Sequence, residues 1–307
     1  MSTVDSAIKV PPQSVYRRKT WLQKAGLAGL TLEVLKYVLL IVLAASYLLP
    51  FYWMATSSLK NDDQVYTVPP KWWPNPRLWQ NFGDAWSSLD FNLYTFNTIV
   101  RYAIPATLGT LLSSVVVAYG FARLKWRGRD VLFAVVLATM MIPFQVRLVP
   151  LFVIFKNMGW LNSYKPLVIP AWFANPFFIF MLRQFFRTIP DDLSDAARID
   201  GAGELGILFR IILPLTKPAL AVVALFAFIG CWNDYLGPLI YCNKPPDWTL
   251  ALGVNQLRSR WQEAGTKIMV YPYLMAISTI VTAPVVLLFF FAQRSFIEGI
   301  TLTGMKG

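Results

Sequence analysis

Five polar side chains interrupt long apolar runs in this sequence: Gln145 and Arg147, Asn175, and the adjacent Asn233 and Asp234. A polar group at membrane depth is costly unless it is paired or wet, so each is a candidate contact for a polar solute. Aromatic faces beside hydrogen-bonding groups can also hold a polar solute, which adds Trp172, Phe173 and Trp232 from the same runs. Each residue also has a plainer reading. Arg147 can snorkel to an interface, Asn233 and Asp234 can join neighbouring helices, and the rings can face lipid or core.

Other kinds of chemistry are missing. The sequence has no His, which removes the commonest general base and metal ligand. No cluster of metal-ligand residues stands out, and no GxxxxGK[ST] loop is available to hydrolyse ATP. The match Gly201-Ala202-Gly203-Glu204-Leu205-Gly206 to the dinucleotide fingerprint follows a polar helical stretch, where that fingerprint needs a preceding strand. Cys231 and Cys242 form no CxxC motif and read as free buried thiols. An enzyme acting alone is excluded, as is a resident metal or cofactor.

A second group of informative residues lies in the polar stretch 183–217. Thr188, Pro190, Asp191 and Asp192 are helix-start signals, and the two Asp suit the positive end of a helix dipole. Leu193, Ala196, Ala197 and Ile199 put small and apolar groups mainly on one side of a short helix. Asp200-Gly201 stops it, Gly being the usual residue for a left-handed turn. A second amphipathic stretch, Glu204 to Leu213, is expected to end at Pro214. Such a connection is long for a purely structural job. The Ala pair, with little side-chain bulk, suits entry into a groove on a partner.

The elements that position these residues follow from composition. Of 307 residues, 56% are hydrophobic and 14% charged, against about 45–50% and about 25% in soluble domains. With a mean hydropathy of +0.49, the chain reads as an all-α integral membrane protein. Its net charge of +12 reflects basic residues collected in cytoplasmic loops and gives no reason to invoke a nucleic-acid partner. Six runs are long enough to span: Tyr37 to Leu59, Tyr102 to Ala122, Val131 to Phe155, Pro166 to Leu182, Pro218 to Cys242, and Ile268 to Gln293. The first is not a cleaved signal peptide, because its apolar stretch continues well past Ser46. Of 28 Lys and Arg, seventeen fall on one side and nine on the other, with Arg101 and Arg147 inside spans. That bias puts both termini in the cytoplasm. The segment Pro69 to Pro74, with Trp72 and Trp73, suits an outer interface position.

The run Ile189-Pro-x-x-Leu193-x-x-Ala196-Ala197-x-Ile199-Asp200-Gly201-Ala202, with Phe209, Ile212 to Leu215 and Pro218 after it, resembles the EAA loop of ABC importer permeases, closest to the carbohydrate-uptake class. Further matches are Met141-Ile142-Pro143, Trp232-Asn233-Asp234 with Pro238-Leu239, and a tail running from Gln293-Arg294 to Lys306-Gly307. Asp195 departs from the family, which usually has Glu there.

The resemblance implies a type I ABC importer fold, six transmembrane helices with a cytoplasmic coupling helix, in a bacterial or archaeal plasma membrane. A cytoplasmic segment 1–34, a permease domain 35–296 with its coupling loop 187–217, and a cytoplasmic tail 297–307 are expected. Asp195, Ala196, Ala197, Asp200, Gly201 and Ala202 would engage the ATPase. Gln145, Arg147, Asn175, Trp232, Asn233 and Asp234 would line the substrate path. The implied partners are a second homologous permease, two ATPase subunits that bring ATP and Mg, an extracytoplasmic solute-binding protein and a di- or oligosaccharide. One rival reading keeps this build but imports glycerol phosphate or another polyol. Another, an ion-coupled secondary transporter, would need inverted repeats and paired ionisable groups, and the sequence has neither.

Overall fold

Backbone polar groups in lipid must be satisfied internally, which favours helices wherever the chain crosses. The computed structural model describes the backbone of residues 21–263 and 270–303, and side chains over 30–259 and 271–293. Residues 1–20 of the expected N-terminal segment, 268–269 of the expected last span and 304–307 of the expected tail lie outside the described residues. The long helix Trp21–Ser57 makes up most of one unit, which ends at Trp53; a second unit begins at Met54.

Four segments are long and apolar enough to cross a membrane by themselves: Leu30–Ser57, Phe91–Arg123, Lys165–Phe186 and Tyr271–Gln293. Two further pairs are bent, Arg129–Thr139 with Phe144–Asn157 by 94° and Glu204–Leu215 with Lys217–Trp232 by 84°. Counting each bent pair as one crossing gives the six expected, numbered below as segments one to six. The boundaries expected at 35 and 296 fall inside continuous helices, Trp21–Ser57 and Val270–Thr303.

Proline sets most of the irregularities. Pro143 ends the four-residue break in segment three, since a residue before proline avoids the α region. Pro150 sits inside the unbroken helix Phe144–Asn157. Segment two makes a π-turn at Asn97–Ala103 just before Pro105, which has no N–H to offer the preceding turn. The second loop helix does not stop at Pro214: it continues through a π-turn at Leu208–Ile212 to Leu215 and breaks at Thr216.

Two apolar clusters hold the second unit. One packs Ala118 and Phe121 of segment two, Phe178 and Leu182 of segment four, Ile207, Leu208 and Ile212 of the loop, and Val223 of segment five. The other joins Phe91 and Tyr94 to Trp232, Leu250, Leu257 and Ile277. The first cluster lies at the end of the helices that carries the loop, and the second at the opposite end.

Candidate functional site

Segment four crosses as a short helix, Lys165–Val168, a 3₁₀ turn, Ile169–Phe173, and a longer helix, Pro176–Phe186, with Ala174 at φ +66° before the last. Non-helical backbone is tolerated at this depth only where protein or a cavity satisfies it. Segment two does so: the Ser113 hydroxyl accepts from the Ala174 N–H at 3.0 Å, and the Ser114 hydroxyl accepts from the Asn175 N–H at 3.4 Å. The Asn175 side chain caps the next helix, accepting from the Phe177 N–H at 3.0 Å.

Around this break lie two cavities that share Tyr102, Leu167 and Pro170 as a wall. One, about 550 Å³, is lined by Phe144, Phe155, Asn233, Asp234, Tyr235 and Tyr241. The other, about 540 Å³, takes in Thr110, Arg147, Asn175, Phe178, Phe226 and Cys231. Both fall within the range of small-molecule sites, about 300–1,000 Å³. Where they meet, the Tyr102 hydroxyl donates to the Asp234 carboxylate at 2.6 Å, and the Gly237 N–H donates to its other oxygen at 3.0 Å. Gly237 is held to glycine by space, because a Cβ there would stand 2.5 Å from the Asp234 carboxylate and 2.7 Å from Leu167.

Of the six residues expected along a substrate path, the structure gathers Arg147, Asn175, Asn233 and Asp234 on these two cavities. Gln145 is exposed but lines neither. Trp232 is placed elsewhere: at 4% exposure it is part of the second apolar cluster, stacked on Phe228. Trp232 precedes Asn233 by one residue, about 100° around the helix, and faces the second apolar cluster. Tyr102, Ser113 and Ser114 were missed, since isolated hydroxyls within an apolar run carry no sequence signal of their own.

At the other end of the same helices stands the loop. The helix Asp191–Ile199 starts after Pro190 and closes as sequence predicts. Gly201 has φ +83°, its N–H donates to the Arg198 carbonyl at 3.0 Å, and the Ala202 N–H donates to the Ala197 carbonyl at 2.9 Å. That pattern is a Schellman stop. A Cβ on Gly201 would meet nothing within 4 Å, so the demand for glycine is conformational.

The expected small-residue face divides. Ala197 and Ala202 pack against the chain's own apolar core, and Ser194 is buried. Ala196 stays exposed with Leu193, Asp192 and Ile199, the last at 87%. The free face is therefore Asp192, Leu193, Ala196 and Ile199. Asp200 is exposed at the stop. The Asp195 carboxylate, expected to reach a partner, accepts from Arg198 at 2.6 Å within its own helix. Arg198 also donates to Glu204 at 2.8 Å, the bond that most raises its pKa, and Glu204 accepts from the Tyr119 hydroxyl at 2.6 Å.

Two arginines tie this loop to the spans. Arg123, its side chain 2% exposed, ends segment two and pairs with Asp191. It also donates to the carbonyls of Phe186 at 2.8 Å and Ile189 at 2.6 Å. Arg183 of segment four returns the contact, donating to the Phe121 carbonyl at 3.2 Å and lying 3.9 Å over the Phe133 ring. Leaving a buried carbonyl without its donor costs about 1–3 kcal/mol. In the sequence both arginines count only among the basic residues of the cytoplasmic side.

Up to six helical crossings, one of them broken beside two adjoining cavities, with a short helix presented at one end, are the build of a membrane transport subunit. Residues 114–301 match the family described as "Binding-protein-dependent transport system inner membrane component", and the chain belongs to that family. It is 33% identical to the sn-glycerol-3-phosphate transport system permease protein UgpE of Yersinia enterocolitica over 275 residues, 88% of this chain and 96% of that one. It is 32% identical to the arabinooligosaccharides transport system permease protein AraQ of Bacillus subtilis over 270 residues, 87% and 93% of the two chains. A chain of a bacterial ABC transporter involved in alginate import shares the fold, with a TM-score of 0.77 at 23% identity over 88% of this chain and 98% of that one. The protein is a multi-pass inner-membrane permease of the binding-protein-dependent ABC importer type. It is a transport subunit, not an enzyme, and carries no cofactor of its own.

Proposed function

We propose that this permease forms half of the translocation path for a neutral di- or oligosaccharide, with a second homologous permease completing it. A solute-binding protein delivers the sugar from outside, and two ATPase subunits drive transport from the cytoplasm, one of them docked on the helix Asp191–Ile199. The carrying observation is the pair of adjoining cavities, one of which combines Tyr102, Tyr235 and Tyr241 with Asn233 and Asp234. Aromatic rings with amide and carboxylate acceptors suit a solute rich in hydroxyls. A carboxylate without a lining cation opposes an anion. The relatives' names support a carbohydrate-type or glycerol-phosphate-type solute.

Arg147 favours a second reading, an anionic polyol such as glycerol phosphate, because it is the cation lining the adjoining cavity. Uptake into proteoliposomes containing the whole transporter and its binding protein separates the two. ATP-dependent uptake of a labelled oligosaccharide, not competed by glycerol phosphate, supports the first. Uptake of glycerol phosphate competed by phosphate esters, but not by oligosaccharides, replaces it with the second.

A further inference from the structure

The loop helix and the cavities lie at opposite ends of the same two segments. Segment two carries Tyr102 and Thr110 on the cavities and ends in Arg123; segment four carries Pro170 and Asn175 on the cavities and ends near Arg183. Arg123 makes three contacts on two different elements with one planar fork: the Asp191 carboxylate at the start of the loop helix, and the Phe186 and Ile189 carbonyls where segment four ends. A guanidinium presents donors in fixed directions, which a flexible ammonium does not reproduce. Arg183 joins segment four to segment two through the Phe121 carbonyl and reaches Asp130 of segment three at 3.5 Å. On its other side the loop helix is fixed to segment two through Arg198, Glu204 and Tyr119.

We infer that Arg123 is a positioning residue for energy coupling: it makes the loop helix and the ends of segments two and four one rigid piece. A docked ATPase that displaces the helix then moves the segments that line both cavities. This inference rests on the reading that Asp191–Ile199 is the docking helix. Arg123 touches neither solute nor ATPase in this account; it acts through Asp191 and the two carbonyls.

The test uses the complete transporter in proteoliposomes and reads solute moved per ATP hydrolysed, a ratio that a lower amount of folded protein does not change. Arg123→Gln removes the charge and the fork. It is expected to keep the ATPase subunits bound and hydrolysing while the ratio falls about tenfold, within the span of ordinary coupling energies. Arg123→Lys, which keeps the charge, is expected to recover part of that loss. Asp191→Asn alters a carboxylate that is 82% exposed, outside the packed core, and is expected to lower the ratio about threefold, the scale of an exposed ion pair. An unchanged ratio in Arg123→Gln overturns the inference. If Arg123→Gln fails to assemble, an unchanged ratio in Asp191→Asn overturns it instead. Ala196→Glu guards the underlying reading: if that variant keeps its ATPase and transports normally, the docking assignment itself has failed, whatever Arg123 does.

Discussion

The loop end and the cavities differ in how their polar side chains are bonded. At the loop end, Arg123, Arg183, Arg198, Glu204 and Tyr119 are each bonded within the chain, to a carboxylate, a carbonyl or a guanidinium. Beside the cavities the Tyr102 hydroxyl and the Asp234 carboxylate are bonded to each other, whereas Arg147 of segment three and Asn233 at the end of segment five are exposed, and neither has an ion pair or side-chain hydrogen bond among the described residues. The backbone differs in the same sense: continuous helix runs from Ile104 to Arg123, whereas a π-turn and the Ala174 break lie beside the cavities. Stiffness at one end and unspent polar groups at the other suit a part that receives force through its loop and handles a polar solute in its middle.

The largest expected effect comes from placing a charge on the free face of the loop helix. Ala196→Glu leaves the chain's own packing intact, because Ala196 is exposed. A charge forced into an interface unpaired costs about 2–5 kcal/mol. ATPase co-purification should be lost and transport should fall more than about thirtyfold, while the second permease stays bound. If transport survives, the loop end is not where force enters.

Gly237→Val should have the next largest effect, and at the other end. Its Cβ would collide with Asp234 and Leu167, and overpacking of this kind costs about 1–3 kcal/mol. Solute affinity should fall about tenfold with the ATPase still docked. Loss of docking in this variant would blur the separation between the two ends.

Arg147→Gln sharpens the chemistry of the cavity. For a neutral sugar the half-saturating concentration should change less than about threefold, whereas an anionic solute would lose a charge-assisted contact worth about 1.5–3 kcal/mol. Titrating uptake rate against solute concentration decides between them.

Asp195→Glu should be nearly silent. Its pair with Arg198 is solvent-exposed, side chains 63% and 37%, and pairs of that kind contribute about 0.3–0.5 kcal/mol. Transport should stay within about twofold of the parent.

The legibility of the sequence followed the same division. The spans could be read because lipid demands about 20 apolar residues in a row. The loop helix could be read because its start and stop depend on local residues, Pro190, Asp191 and Gly201. The arginine contacts could not, since Arg123 and Asp191 are 68 positions apart and a basic residue at the end of a span looks like any other topology marker. Ala197 is half-buried against the chain's own core while Ala196, about 100° away around the helix, is exposed, a difference that packing decides and the sequence does not show. Trp232 shows the same limit, because an aromatic residue beside Asn233 and Asp234 reads as part of their site until its side of the helix is known. Asn175 could be found as a polar residue within an apolar run, and Asn before Pro176 is also a helix-start signal, but the positive φ of Ala174 before it is not announced by the sequence.

The most direct measurement is a site-specific cross-link from the loop helix to the ATPase subunits. In a chain with Cys231 and Cys242 replaced by Ser, Ala196→Cys and Ser194→Cys are compared in the assembled transporter with a short thiol–amine cross-linker. Ala196 is exposed and Ser194 is buried against the permease. The account predicts an ATPase adduct from position 196 that weakens or shifts when ATP binds, and none from position 194. No adduct from position 196, or equal adducts from both, would contradict it.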